Sequence, residues 1–163
     1  MKNEYFDYSC TVNGQEFKHK LKIIESFIDH MTICPVCGAE NCGGHKDKFI
    51  WAEFNNEKLA IHFGDGEFER YLSFWHFEGI TEDEYKSLPN FIKDFNEGNG
   101  WDNEDFDPNS IIDALDFKKS MDVIKNSNHI KENDEFLTSF YPRVIKFIDR
   151  VIKEEKKLNI LKY

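Results

Sequence analysis

The sequence predicts an α+β fold: an N-terminal antiparallel β-sheet, made of a hairpin plus a meander and carrying a zinc-knuckle loop, followed by a helical C-terminal half. Three observations predict it. Asn13-Gly14 separates two strand-like runs, and Asn-Gly is a strong two-residue hairpin signal. Short aromatic and apolar runs alternate with turn residues from 48 to 77. From Thr81 onward the pattern changes to a capping box and to apolar residues at three- and four-residue steps. The chain has 163 residues, enough for one well-buried core, and reads as a single domain with a β-rich part (1–79) and a helical part (80–163).

In chain order, Tyr5 to Val12 and Gln15 to Ile23 form the hairpin strands, with Phe17, His19 and Leu21 alternating with Lys18, Lys20 and Lys22. Residues 23–31 fit either a short helix or an extension of the strand. Phe49 to Phe54, a four-residue loop Asn55 to Lys58, Leu59 to Phe63, a Gly64-Asp65-Gly66 turn and Glu67 to Phe77 then read as a three-stranded meander. Thr81 and Glu84 form a capping box that starts a short helix toward Ser87, and Pro89 breaks or restarts it. Asn90 to Glu97 supplies a further turn or two, and 98–109 is a loop. A helix follows from about Ser110 to Asn126 with Ile111, Ala114, Phe117, Met121 and Ile124 on one face. The last helix carries Leu137, Phe140, Tyr141, Val144, Ile148 and Val151, with Pro142 kinking it or marking its first turn.

The segment from Cys34 to His45 holds four metal-type ligands, Cys34, Cys37, Cys42 and His45, spaced Cys-x2-Cys-x4-Cys-x2-His. Three thiolates and one imidazole suit a tetrahedral Zn2+. Pro35, Gly38, Gly43 and Gly44 allow the tight turns that bring such ligands together. Four protein ligands close the coordination sphere, so the expected role is structural rather than catalytic. A redox dithiol at Cys34 and Cys37 would leave Cys42 and His45 unexplained. The pattern resembles the zinc knuckles of zinc ribbons and treble clefs, although those place their second ligand pair much further along the chain. Cys10, the remaining cysteine, reads as a small apolar core residue.

The net charge is −10, and it is unevenly spread. Residues 1–75 carry 12 acids and 8 bases, residues 76–116 carry 12 acids against Lys86 and Lys93 alone, and residues 117–163 carry 7 acids and 11 bases. The middle stretch repels phosphate backbones and attracts cationic partners. Its centre, Trp101, Asp102, Glu104, Asp105 and Asp107, offers an aromatic anchor inside a ring of carboxylates. Ordinary solubility accounts for the same charge more blandly. The oxygen-rich loop lacks the Gly and Glu positions of a calcium-binding EF-hand.

Other chemistry is thin. His62 and His76 with Glu53, Glu67 or Glu69 could line a pocket, but half-exposed strand histidines are the simpler reading. No phosphate-binding loop, nucleophile elbow, zincin helix or paired-histidine nuclease motif is present, so the chain is not expected to be an enzyme. No apolar run is long enough to span a membrane, and no signal peptide is visible, so a cytoplasmic protein is expected. Leu88-Pro89-Asn90-Phe91 with Phe95 and Asn99-Gly100 resembles a Leu-Pro, aromatic, Asn-Gly segment of a superfamily of immunity proteins, in which that segment precedes the sheet rather than following it.

The expectation is therefore a small acidic zinc-containing protein that neutralises a basic protein partner, most concretely an immunity protein against a nuclease-type toxin. The alternative is a zinc-knuckle adaptor in a nucleic-acid complex, using Lys146, Arg150, Lys153, Lys156 and Lys157. Tight binding of naked nucleic acid is not expected at this net charge.

Overall fold

The computed structural model describes residues 4–27, 47–64, 67, 71, 79–97, 111–127 and 135–162. Six strands form one sheet: β1 (Glu4–Val12), β2 (Gln15–Phe27), β3 (Lys48–Phe54), β4 (Glu57–Phe63), β5 (Ile111–Ile112) and β6 (Leu158–Lys162), in the spatial order β1-β2-β4-β3-β6-β5. The described helices are α1 (Glu82–Lys86), α2 (Asn90–Glu97), α3 (Ala114–Lys125) and α4 (Tyr141–Lys153), the last preceded by a π-helical turn, Phe136–Phe140. The class is mixed α+β, with strands mostly N-terminal and helices C-terminal.

Local chemistry sets the turns. Val12 pairs with Gln15, leaving Asn13 (φ 51°) and Gly14 (φ 80°) as a two-residue turn with both φ positive. Such primed turns match the right-handed twist of the strands they join. The expected four-residue loop between β3 and β4 is instead a second tight turn, Asn55 (φ 49°) and Asn56 (φ 65°), because Phe54 already pairs with Glu57. Asn tolerates this left-handed conformation better than most side chains.

The sheet departs from the sequence expectation in three ways. It is not purely antiparallel: β2 and β4 run parallel, so β4 sits between β2 and β3. It is not confined to the N-terminal part, because β6 pairs with β3 and β5 pairs with β6. The expected third meander strand is not seen at Glu67 and Tyr71, which are helical; the rest of that run lies outside the described residues. The expected start of a helix near Ser110 is also corrected. Ile111 and Ile112 are in β5, and the Asp113 carboxylate caps the helix by accepting from Asp116 N at 3.0 Å.

A single bulge decides which way β2 points. Ile23 pairs with Ala60 and Glu25 with Ile61, so Ile24 is the extra residue. One added residue reverses the alternation of every residue after it. Leu21 faces one side with Phe49, Trp51, Ala60 and Leu161, while Phe27 faces the other with Ile50, Phe54, Ile61 and Phe63. The second side is covered by helices: Phe91, Ile92 and Phe95 of α2, Phe117, Met121 and Ile124 of α3, and Val144, Phe147, Ile148 and Val151 of α4 are all buried. These helical residues lie in one apolar cluster with that sheet face. Glu25, turned to this side, accepts from Arg143 Nε at 2.8 Å and ties β2 to α4.

Pro142 has no N–H and its ring crowds the preceding turn. The chain resolves this by widening: the Tyr141 N–H bonds back to the Phe136 carbonyl, a π-type spacing, and Pro142 sits in the first turn of α4.

Candidate functional site

The expected zinc ligands Cys34, Cys37, Cys42 and His45 lie outside the described residues, as do Trp101, Asp102, Glu104, Asp105, Asp107 and His76. Cys10 is on β1, but its side chain is also outside the described set. Among the described residues no three His, Cys, Asp or Glu side chains converge on a metal-sized site.

Residues 28–46 connect Phe27, the last residue of β2, to Asp47, the residue before β3. Phe27 and Lys48 both pair with Phe63, one on each side of β4. The two ends are therefore about 10 Å apart, two strand spacings. One side chain bridges them. His62 Nε2 lies 2.9 Å from Asp47 Oδ2, and His62 Nδ1 lies 3.2 Å from Ser26 Oγ. A carboxylate only accepts, so Nε2 carries a proton, and in the neutral ring Nδ1 then accepts from the serine hydroxyl. The imidazole stacks on Phe49 with centroids 4.6 Å apart and planes 10° apart, which fixes its rotation.

Serine, histidine and aspartate in one hydrogen-bonded row resemble a nucleophile set in composition. Neither of the two described clefts is lined by any of the three. The row links the end of β2 to the residue before β3 across β4. Ser26 and Asp47 bracket the segment holding Cys34 to His45, and both are tied to His62. The bulge at Ile24 makes this possible by placing Ser26 opposite His62 in the register. His62 is a partly exposed strand histidine, the simpler of the two readings of the sequence, and its bonded partners are Ser26 and Asp47 rather than Glu53 or Glu67.

The acidic stretch is framed by α1, α2, β5 and the start of α3. Seven of its twelve acids are among the described residues. Several have structural duties. Glu84 closes the capping box with Thr81, and Glu82 pairs with Lys86 at 3.1 Å. Asp116 accepts from the backbone N–H groups of both Asn90 and Phe91, capping α2 from a neighbouring helix. Asp83 and Asp94 have no bonded partner among the described residues. The field of these carboxylates is felt by Tyr85, whose phenol is pushed up by partial burial first and then by Glu97 and Asp94.

A cleft of about 240 Å³ opens where α2, β5 and α3 meet, lined by Asn90, Phe91, Asp94, Ile111, Ile112, Asp113 and Asp116. Ile111 is 58% exposed and Leu115, one residue into α3, is 57% exposed. Sequence periodicity places Ile111 on the apolar face of a helix. The short strand turns it outward instead, so the acidic region presents apolar side chains that the pattern alone did not reveal.

No family model, no curated protein and no solved structure matches this chain. No helix among the described residues is long and apolar enough to cross a membrane.

Proposed function

We propose that this chain is an acidic binding protein that neutralises a basic protein partner, most concretely an immunity protein acting on a nuclease-type toxin. The observation that carries this reading is the cleft between α2, β5 and α3. There Asp94, Asp113 and Asp116 line the same cleft as exposed Ile111, and the segment holding Trp101, Asp102, Glu104, Asp105 and Asp107 lies between them in sequence. An apolar anchor inside a negative rim suits a cationic surface, because burial supplies affinity and charge supplies steering. Nuclease toxins carry positive charge to hold nucleic acid, which makes them the natural class of partner. Zn2+ on Cys34, Cys37, Cys42 and His45 would act as a staple, its donor set being the Cys3His type of closed structural sites. The pinned ends of the loop would reduce the entropy lost on assembling it.

The alternative, a zinc-knuckle adaptor in a nucleic-acid complex, relies on the basic tail of Lys146, Arg150, Lys153, Lys156 and Lys157. One of them is already occupied: Arg150 donates to Glu154 at 2.7 Å and covers the Phe54 ring at 4.1 Å.

The test uses the product of the gene beside this one. A basic protein encoded there, purified and titrated against this chain, should form a complex that weakens as salt rises. Ile111→Glu should weaken it further without lowering the Tm. A neighbouring basic protein that does not bind, or that binds Ile111→Glu equally well, would overturn the reading.

A further inference from the structure

At the end of the sheet away from Asp47, β3 outruns β6. The β3–β6 pairing stops at Trp51 and Asn159, so Glu53 and the Asn55–Asn56 turn extend past it. The connection from α4 into β6 forms the opposite wall, through Glu155, Lys156 and Lys157. Between them lies a cleft of about 720 Å³ that Trp51 and Asn159 also line, a volume within the usual range of roughly 300–1,000 Å³ for small-molecule sites.

Three features make this cleft more than a gap. First, its polar side chains are unused: those of Glu53, Asn55, Asn56, Glu155, Lys156 and Lys157 make no hydrogen bond or ion pair with any described residue. Asn159 spends its amide hydrogens on the carbonyls of Trp51 (3.4 Å) and Lys157 (3.2 Å), which leaves its Oδ1 as an unused acceptor. Second, a buried donor is unused. Trp51 is 7% exposed, and its indole N–H has no acceptor among the described residues. Third, Glu155 is held at φ 53° where α4 ends, a left-handed position that favours Gly. The chain keeps a carboxylate at the cleft wall where backbone preference opposes it.

The lining chemistry narrows the ligand. Two carboxylates offset two ammonium groups, so a charged molecule gains from one pair what it loses to the other. The Asn55 and Asn56 carboxamides each offer a donor and an acceptor in one plane, and Asn159 adds its Oδ1 acceptor, a set that matches adjacent hydroxyl groups. We propose that this cleft binds a neutral, hydroxyl-rich ligand, a short oligosaccharide, through the side chains of Asn55, Asn56, Asn159, Glu53 and Glu155 beside Trp51. The proposal is independent of the acidic docking surface.

The test is a 1H–15N spectrum of the full chain, with the Trp51 indole resonance assigned by its loss in Trp51→Phe. Cellotriose, maltotriose and triacetylchitotriose are added separately to about 10 mM, which reaches binding free energies near −3 kcal/mol. At least one should shift the Trp51 indole saturably, with affinity at least about five-fold weaker in Glu53→Ala and in Asn159→Ala. Glu53 is exposed and unpartnered among the described residues, so Glu53→Ala keeps the test valid if Asn159→Ala fails to fold. No shift with any of the three, or a shift undiminished in Glu53→Ala, overturns the proposal. A saturable shift with inorganic phosphate and none with the sugars overturns it too, by showing an anion site.

Discussion

His62 Nε2 sits 2.9 Å from Asp47 Oδ2, and through that contact one strand side chain holds the residue that joins the cysteine-rich segment to β3. Ser26, near the end of β2, bonds the other ring nitrogen. Both bonds depend on a ring stacked against Phe49, which is 2% exposed.

Replacing His62 with Ala should therefore release both ends of the segment at once. Two partly exposed hydrogen bonds and the Phe49 stack together should contribute about 1–3 kcal/mol. The expected results are a lower Tm and a weaker Zn2+ affinity in a chelator competition. An unchanged Zn2+ affinity would mean that the clamp has no influence on the loop.

Zinc itself should be present at roughly one equivalent per chain in protein purified without added metal. Cys34→Ser should lower the Tm by several degrees, because a closed site couples metal binding to folding. Freely titratable thiols at Cys34, Cys37 and Cys42 in metal-free preparations of normal Tm would count against a structural metal.

The carboxylates of the acidic region should separate into two groups. Asp116→Asn removes charge from a cap on α2 and should cost about 1 kcal/mol of stability. Changing Asp102, Glu104, Asp105 and Asp107 together to Asn or Gln should leave the Tm nearly unchanged and weaken the partner complex. The loss should be largest at low salt, where unscreened charge steers association. Equal binding by the parent and the fourfold variant at about 0.15 M salt would make the stretch a solubilising face only.

Glu155→Gly should stabilise the protein by about 1 kcal/mol, since a left-handed residue with a Cβ is strained. The hydrogen bonds that close α4, Glu155 N to Ile152 O at 3.1 Å and Lys156 N to Val151 O at 2.9 Å, do not use the side chain and should persist. Urea unfolding measures this directly, and a lower midpoint would show that the carboxylate has a stabilising partner.

Tyr141 gives a pH signature. Its phenol is pushed up to about 12, first by burial and then by its hydrogen bond to the Asp122 carboxylate. The folded value is above the unfolded value near 10, so the folded state holds the proton more tightly. The contribution is fully present below about pH 10 and is lost as pH rises through about 12. Tyr141→Phe should be less stable than the parent at neutral pH and should lose less stability over that alkaline window. Parallel stability curves for the two proteins would rule out this linkage.

How much of this was legible in the sequence depends on the range of the interaction. Asn13-Gly14 specifies its own turn, and Thr81 with Glu84 specifies a helix start, because both act within four residues. The apolar steps in α3 and α4 were readable for the same reason. The cysteine and histidine spacing likewise proposes a zinc site on its own chemistry, and the uneven charge a basic partner. Tertiary structure alone decided the rest. Leu158 to Lys162 becomes a strand by pairing with β3, more than a hundred residues earlier, and that pairing turns Ile111 into an exposed edge residue. Strand formation depends on its neighbours more than on the strand itself. The extra residue at Ile24 has no marker in the local pattern, yet it places Ser26 beside His62 and Glu25 beside Arg143. A one-residue shift exchanges the two faces of a strand, and only the facing strand says which residue is the extra one.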